Sequence, residues 1–229
     1  MAVAYYLKDK TNLNKWVIVL DVFRSSNTII SILDRGAIAL VPTISVSDAM
    51  QLKELHPDWL LFGERNGVMI DGFDGDSSPA QLSPDVAGKV VILTTSGGTR
   101  CINSCDNTRQ VIIASFANAN AVIDYLHSEK ISDPTFWAVG VRGDHCAKED
   151  DVCANYLDNL HKGQLQDFTK IHHELFLTSG SQRLLKLGQD NDLDYCTSLN
   201  ISTTVPQRIM LEDGSYVIGR RGDHIAFLD

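Results

Sequence analysis

Two apolar segments of this chain run directly into polar loops that each carry hydroxyl side chains and an arginine. Residues 16–20 (WVIVL) lead into residues 21–28 (DVFRSSNT), and residues 90–93 (VVIL) lead into residues 94–100 (TTSGGTR). A strand, a hydroxyl- or glycine-rich turn and a helix start together form an anion site, because free backbone N–H groups and the positive end of the helix dipole converge there. The two loops therefore predict a site for a charged, phosphorylated small molecule.

The first loop begins with a carboxylate at a strand end. Asp21 there could bind Mg²⁺, orient water or act as a nucleophile; the alternative is that it only caps the following turn. Arg24 favours the functional role, because its planar guanidinium matches phosphate, sulfonate or carboxylate groups. Ser25 and Ser26 are hydroxyl donors beside the helix start, and either is equally suited to be a simple N-cap.

The second loop combines two glycines with a hydroxyl and a cation. Gly97 and Gly98 are followed by Thr99 and Arg100. We expect the two glycine N–H groups to stabilise charge that develops on a bound anion. The alternative is a tight turn that needs glycine for its backbone angles. The loop contains no GxxxxGK[ST] pattern, so it does not predict nucleotide binding.

A third polar cluster, residues 63–67 (GERNG), also follows an apolar run. Glu64 and Arg65 are its charged members, and we expect both to face the same site as the two loops. The alternative is that they pair with each other at the surface, where an ion pair contributes little to stability.

A fourth cluster, residues 142–145 (RGDH), contains Arg142 and is followed by residues 148–151 (KEDD). Acidic residues at a helix start are favoured by the helix dipole alone, which is the structural explanation for this run. Three consecutive carboxylates beside the carboxyl edge of a sheet nevertheless make Glu149 and Asp150 candidate metal ligands.

Composition bounds the class of protein and of partner. The chain has 229 residues, 44% of them hydrophobic, and a formal net charge of -9, which disfavours nucleic acid or an anionic membrane as main partner. An anionic substrate must therefore be bound locally, by a few arginines or a metal. Five cysteines and the lack of a cationic-then-apolar leader predict a cytoplasmic protein. The sequence leaves open whether the chain forms a homo-oligomer.

Short apolar runs alternate with amphipathic stretches along the chain. Strands are predicted at residues 16–20, 37–41, 59–62, 90–94, 111–114 and 136–141, and helices at residues 27–35, 46–55, 99–104, 118–129 and 151–160. Further helices are expected within residues 168–199, followed by a hairpin that turns at Asp213-Gly214. This pattern predicts an α/β fold with a largely parallel sheet flanked by helices, a C-terminal helical segment and a terminal β-hairpin. We expect one domain over residues 1–229, and two unequal lobes remain the alternative.

A long segment rich in glycine, aspartate and proline, residues 66–84, interrupts this alternation. Connectors of that length are usually functional or mobile. Ligands of parallel α/β sheets bind at the carboxyl ends of the strands, which is where both polar loops are expected.

Six motifs, taken in chain order, carry a resemblance to a known family. They are residues 21–28 (DVFRSSNT), 63–67 (GERNG), 78–79 (SP), 94–100 (TTSGGTR), 115–119 (SFANA) and 149–154 (EDDVCA). They are similar to the patterns D-V-x-R-A-T-S-T, G-E-R-x-G, G-N-S-P, T-T-x-N-G-T, G-S-F-x-N and E-D-x-x-C-A-G of the 2-phosphosulfolactate phosphatase family. The matches span nearly the whole chain in order, so the chain is identified as a member of that family.

The resemblance implies a Mg²⁺-dependent phosphatase on an α/β fold, which hydrolyses 2-phospho-3-sulfolactate in a step toward coenzyme M. A small acid with several negative charges agrees with the arginines and carboxylates noted above. The expected catalytic residues are Asp21, Arg24, Glu64 and Arg65. Substrate binding is expected from Ser25, Ser26, Gly97, Gly98, Thr99, Arg100, Asn118 and Arg142. The expected metal ligands are Asp21, Glu64, Glu149 and Asp150.

The chain also departs from the family patterns. Gly97 stands at an asparagine position, and Asp76-Ser77 replaces Gly-Asn before the Ser-Pro pair. These changes remove an amide or alter charge in the expected site. A second hypothesis therefore stays open, in which the protein binds a phosphorylated or sulfonated small acid without catalysis.

Overall fold

Strands and helices alternate through most of the chain, which we describe from a computed structural model for residues 3–82 and 86–223. The strands are β1 (Val3–Tyr5), β2 (Trp16–Leu20), β3 (Ala39–Thr43), β4 (Leu60–Arg65), β5 (Val68–Met69), β6 (Val90–Thr94), β7 (Gln110–Ala114), β8 (Thr135–Ala138), β9 (Pro206–Met210) and β10 (Tyr216–Arg220). The α-helices are α1 (Ser25–Asp34), α2 (Val46–Leu55), α3 (Gly98–Ser104), α4 (Ala119–Ser128), α5 (Lys148–His161), α6 (Phe168–Phe176), α7 (Ser179–Lys186) and α8 (Asp190–Thr197). The predicted α/β class is confirmed.

The strands form one sheet in the order β1-β8-β2-β7-β9-β10-β3-β6-β4-β5. Strands β1, β8, β2 and β7 run parallel to one another, and β3, β6 and β4 form a second parallel set. The C-terminal hairpin lies between the two sets and pairs antiparallel with β7 and with β3, in each case through one residue pair.

Alternating side chains of β2 contribute to two separate cores. Val17 and Val19 lie in one core with Ile29 of α1, whereas Ile18 and Leu20 lie in the other. The first core contains residues of both parallel sets together with α1 and α3, and the second contains residues of α4, α5, α7 and α8. Both faces of β2 are therefore covered, which explains its continuous apolar sequence.

Helix α2 has the bounds that the sequence predicts, 46–55, because its first turn is fixed by local chemistry. Ser45 accepts a hydrogen bond from the Asp48 N–H, and the Asp48 carboxylate accepts one from the Ser45 N–H, which completes a capping box. The C-terminal segment contains helices α6, α7 and α8 as expected, and Asp167 and Thr178 cap the first two.

The structure corrects several predicted boundaries and adds short elements. Strands β3 and β4 extend further than predicted, to Thr43 and Arg65, and α5 begins at Lys148 instead of residue 151. Strand β8 ends at Ala138 instead of continuing to residue 141, because Gly140 adopts a left-handed conformation with φ 74°. Its N–H donates to Asp150 instead of to a neighbouring strand. Strands β1 and β5 and a 3₁₀ helix at Leu7–Asn12 were not predicted, since each is too short for a periodic signal.

The long segment after β4 packs against α1 in its described part, residues 66–82. Thr28 and Ser31 of that helix donate hydrogen bonds to the carbonyl oxygens of Ser77 and Pro79, so this part is anchored to the protein. Across the described ranges, the helices are too short or too polar to traverse a lipid bilayer.

Candidate active site

A pocket of about 500 Å³ lies where the carboxyl ends of β2, β4, β6 and β8 meet. Asp21 follows β2, Glu64 lies near the end of β4, Gly97 follows β6 and Gly140 follows β8. The first turns of α5 and α7 complete the wall. The two polar loops that the sequence placed in one site therefore do face one pocket.

Asp21 projects into this pocket from the end of a buried strand. Its backbone is fixed at both ends, since the Asp21 N–H donates to Ser26 Oγ (3.0 Å) and the Ser26 N–H donates to the Asp21 carbonyl (3.0 Å). Withdrawal from bulk water and the nearby Glu64 carboxylate raise the pKa of Asp21 to about 7. Its carboxylate is thus placed where a negative charge is unfavourable without a counter-cation.

Glu64 and Asp150 are held by backbone N–H groups. Glu64 accepts hydrogen bonds from the N–H groups of Gly67 (2.6 Å) and Ser96 (2.7 Å), so it links β4 to the loop after β6. Asp150 accepts from Val22 (2.7 Å) and Gly140 (2.8 Å), so it links α5 to the loops after β2 and β8. Burial, followed by the charges of Asp21 and Glu149, raises the pKa of Asp150 well above its ordinary value.

Glu149 differs from these two, because one of its oxygens has no partner. Its side chain is 4% exposed, and within residues 3–82 and 86–223 no donor reaches its Oε2 atom. Burial raises the pKa of Glu149. Gly180 of α7 approaches so closely that a Cβ there would overlap the Glu149 carboxyl group and Phe23. Glycine at this position lets α7 form the pocket wall directly over Glu149.

Arg24 lines the pocket, but its guanidinium is occupied by other protein groups. Nη1 donates to Asp192 of α8 at 2.6 Å and lies 3.5 Å from Asp76, and Nη2 donates to the Gly67 carbonyl at 3.1 Å. The Arg24 side chain is 2% exposed and that of Asp192 is 3% exposed. Arg24 therefore joins α1, the segment after β4 and α8, and its predicted contact with substrate stays a prediction.

A second, shallower pocket of about 210 Å³ adjoins the first. Arg65, Arg100 and Arg142 line it, together with Ile44, Asn66, Thr95 and Ser96. Asn66, Thr95, Ser96 and Arg142 border both pockets, so the two cavities share a wall. The structure thus places Arg65 and Arg100 beside the main pocket.

Four other predicted site residues are held in turns and in contacts between loops. Ser25 lines the main pocket and Ser26 caps the Asp21 turn. Thr99 exchanges hydrogen bonds with Thr95 inside the second loop. Asn118 accepts from Ser115 and donates to Ile113 and Thr204, so it organises the loop after β7 and is not among the pocket-lining residues.

Gly97 and Gly98 lie where the two loops touch. A Cβ on Gly98 would overlap the Ser25 side chain and lie 3.0 Å from Asp21 Oδ2, whereas a Cβ on Gly97 would lie 3.4 Å from the same oxygen. The absence of side chains at these two positions thus lets the second loop approach the carboxylate of the first.

Comparison with known proteins agrees with this geometry. Residues 3–209 match the family described as 2-phosphosulpholactate phosphatase. The chain is similar to a protein of Carboxydothermus hydrogenoformans, with 34% identity over 228 residues that cover 93% of this chain and 94% of the relative. It is also similar to proteins of Clostridium perfringens (33% over 218 residues, covering 86% and 87%) and Clostridium acetobutylicum (30% over 219 residues, covering 88% and 92%). All three relatives are named probable 2-phosphosulfolactate phosphatase.

The chain belongs to the 2-phosphosulfolactate phosphatase family. The resemblance inferred from the six motifs is thereby confirmed, and so is the class of enzyme, a phosphoric monoester hydrolase. The motifs that carry Asp21, Glu64, Gly97 and Glu149 all contribute residues to the lining of the main pocket, and so does Ser77, which precedes the Ser-Pro pair.

One residue that lines the main pocket, Arg183 of α7, was not predicted from the sequence. Arg183 lines the main pocket and donates to the Phe23 carbonyl at 3.2 Å, and its charge lowers the pKa values of both Asp21 and Glu149. It is thus a cation near enough to both carboxylates to stabilise their ionised forms. The one available signal was its position directly before the leucines of residues 184–187, which resemble the C-terminal region of the family.

The predicted metal ligands do not form a preassembled cage. Within the two described ranges, no three His, Cys, Asp or Glu side chains are arranged to hold a metal ion together. Among the four predicted ligands, both carboxylate oxygens of Glu64 and of Asp150 accept hydrogen bonds from backbone N–H groups. Asp21 faces the pocket, and the Oε2 atom of Glu149 has no hydrogen-bond partner among the described residues. Mg²⁺ commonly uses one or two protein carboxylates, with water and substrate phosphate as its other ligands.

Proposed function

We propose that this phosphatase hydrolyses the phosphate monoester of a small 2-hydroxy acid, 2-phospho-3-sulfolactate, to 3-sulfolactate and inorganic phosphate with Mg²⁺ bound. Water supplies the oxygen that enters phosphate, and the ester oxygen leaves as the hydroxyl group of the acid. The observation that carries this proposal is a pocket with unneutralised carboxylates, Asp21 and Glu149, beside the guanidinium of Arg183.

The two carboxylates fit a hard divalent cation. Asp21 and Glu149 both have pKa values raised by burial, and each raises that of its neighbours, so their ionised forms repel each other without a cation. The Oε2 atom of Glu149 is a buried oxygen that meets no donor among the described residues, which is the kind of atom that a cation satisfies. Asp21 and Glu149 would hold Mg²⁺, which supplies charge stabilisation to phosphoryl oxygens when bound.

The remaining pocket groups have complementary tasks. Arg183 offers planar donors to the phosphoryl oxygens. Glu64 and Asp150 hold the loops after β2, β6 and β8 in register, because each bridges two backbone N–H groups of different loops. Groups held in this way need no rearrangement during the reaction, which is how fixed donors lower a barrier.

The test is phosphate release from synthetic 2-phospho-3-sulfolactate by the purified protein. We expect release in MgCl₂, loss of release in EDTA and recovery when Mg²⁺ is restored. Asp21→Asn and Glu149→Gln should each reduce kcat/KM by about 10²–10³-fold or sharply raise the Mg²⁺ concentration required. Asp151→Asn is the matched control, because Asp151 lies in the same first turn of α5 but bonds to Tyr6 and Cys146 outside the pocket.

The outcomes of this experiment test the metal, its ligands, catalysis and the substrate separately. Undiminished turnover in EDTA would refute the metal, and unchanged Mg²⁺ titrations of both variants would refute its ligands. Binding of 2-phospho-3-sulfolactate in calorimetry without phosphate release would establish the non-catalytic hypothesis instead. Failure both to bind and to hydrolyse would refute the assigned substrate.

A further inference from the structure

The two adjoining pockets have opposite charge. The main pocket is lined by several carboxylates, among them Asp21, Glu64 and Glu149, whereas no residue found to line the smaller pocket is acidic. The smaller pocket instead holds three guanidinium groups, in a chain whose formal net charge is -9. A molecule that spans both pockets would thus have one end in the main pocket, which suits a metal cation and phosphate. Its other end would lie in the smaller pocket, where every charged lining residue is an arginine.

The three arginines of the smaller pocket are fixed by neutral partners. Arg65 donates to the Glu64 carbonyl (2.7 Å) and to Thr94 Oγ1 (2.9 Å), and Arg100 donates to the carbonyl of Arg142 (2.8 Å). Arg142 in turn donates to Asn66 Oδ1 at 2.6 Å. Carbonyl and amide oxygens orient the guanidinium groups without neutralising them.

The described residues provide no counter-ion for this group. No ion pair joins Arg65, Arg100 or Arg142 to a carboxylate within residues 3–82 and 86–223, although Arg24, Arg109, Arg220 and Arg221 all have one. Like charges held together repel, so this arrangement costs free energy unless an anion binds there. An oriented, uncompensated cluster of this kind is suited to a group with several acceptor oxygens and a permanent negative charge.

Resting on the proposed function, we infer that Arg65, Arg100 and Arg142 form the subsite for the sulfonate group and so determine selectivity for sulfonated substrates. The carbon that carries the phosphate ester also carries the carboxylate directly, so both of these groups stay near the main pocket. The sulfonate is attached one carbon farther away and reaches across the shared wall. Its three oxygens can accept hydrogen bonds from the three guanidinium groups, which come from β4, from α3 and from the loop after β8.

The experiment compares three phosphate esters with Arg100→Ala and Arg142→Ala. The esters are 2-phospho-3-sulfolactate, 2-phospholactate, which lacks the sulfonate, and 2-sulfoethyl phosphate, which lacks the carboxylate. We expect each variant to lose about 10–100-fold in kcat/KM toward both sulfonated esters, as for the loss of charged hydrogen bonds, and little toward 2-phospholactate. The measured selectivity is the ratio of kcat/KM values for 2-phospho-3-sulfolactate and 2-phospholactate.

Two controls and a binding measurement complete the design. Arg221→Ala removes the same charge from a residue that pairs with Glu129 and lies over Tyr125, and it should leave the selectivity unchanged. Arg100→Lys retains the charge and should recover part of the selectivity. Calorimetry of the proposed product, 3-sulfolactate, should show a Kd about 10-fold or more weaker for Arg100→Ala, independently of turnover. Circular dichroism and the Tm verify folding, and Arg142→Ala serves if Arg100→Ala fails to fold.

The outcomes separate this inference from the proposed function. Equal losses for the sulfonated esters and for 2-phospholactate, or an unchanged selectivity, would overturn the sulfonate subsite while phosphatase activity persists. A loss confined to the two carboxylated esters would assign the cluster to the carboxylate and also overturn it. Absence of phosphate release from all three esters with the unaltered protein would instead refute the proposed function.

Discussion

The loops after β2 and β6 each connect a strand to a helix, but their arginines have different partners. Arg24 of the first loop is buried and neutralised by Asp192, whereas Arg100 of the second is partly exposed and, among the described residues, donates to a carbonyl oxygen and to no carboxylate. In the first loop the pocket receives the carboxylate of Asp21, and in the second it receives Gly97. The shared strand-to-helix pattern thus places a loop at the pocket, and long-range partners decide which groups in that loop remain available.

The largest expected effect comes from removing the buried arginine. Arg24→Ala should lower the free energy of unfolding by about 3–5 kcal/mol, because it leaves the Asp192 carboxylate buried without its cation. Arg100→Ala is the matched variant in the other loop, and we expect a change within about 0.5 kcal/mol. Urea unfolding of both variants measures the difference.

A double variant sharpens that test. Replacing the pair together, as Arg24→Met with Asp192→Leu, should recover part of the lost stability, since neither charge is then left buried alone. If Arg24→Ala and Arg100→Ala were equally stable, the Arg24–Asp192 ion pair would not be the contact that distinguishes the two loops.

A smaller effect is expected where the two loops touch. Gly98→Ala should destabilise the protein by about 1–3 kcal/mol, because the added methyl group overlaps Ser25 and crowds Asp21. Gly97→Ala meets Val139 Cγ1 at 3.2 Å and should cost less than about 1 kcal/mol. Thermal unfolding compares the two variants, and equal shifts in Tm would contradict the tighter contact at Gly98.

An effect of the opposite sign, a gain in stability, is expected at the carboxylate of the first loop. The pKa of Asp21 is raised from 3.8 to about 7, so the folded state holds more protons than the unfolded state between these values and stability falls as pH rises through that window. Asp21→Asn removes this decline. In EDTA we expect the variant to equal the unaltered protein near pH 4 and to exceed it by about 4 kcal/mol above pH 7, because the pKa of Asp21 is higher by about three units in the folded state.

The measurement is the Tm of both proteins from pH 4 to pH 8. Asp158→Asn provides a control carboxylate, because Asp158 lies in α5 and pairs with Lys162. A stability difference for Asp21→Asn that is constant with pH would contradict the raised pKa.

Most of the secondary structure could be predicted because its signals are local. The run of five apolar residues in β2 and the Ser45–Asp48 capping box of α2 each specify their element without help from distant residues. Strand β1, with three residues, and β5, with two, have no such signal and form through pairing with β8 and β4. The turn at Asp213-Gly214 indicated the terminal hairpin but not its neighbours in the sheet.

The sequence predicted which loops form the main pocket, but not which of their side chains are available to bind a ligand. Asp21, Glu64, Gly97 and Glu149 all line the main pocket, because the ends of parallel strands are where an α/β sheet leaves side chains free. Asn118 shows the limit of this prediction. It also lies in a polar loop after a strand, but its side-chain amide is hydrogen-bonded to backbone groups and holds the loop in place. Sequence type alone does not distinguish a donor that is free from one that is already bonded.

The sequence by itself determined the alternation of strands and helices, the polar loops at the strand ends and the family. Only the tertiary structure decided that the terminal hairpin separates two parallel strand sets, that Arg24 meets Asp192, 168 positions away, and that α7 brings Arg183 to the pocket. Hydrophobic periodicity indicates which face of a single helix or strand is buried. Strand order and ion pairing depend instead on which distant surfaces are covered together, and that is settled only when the whole chain packs.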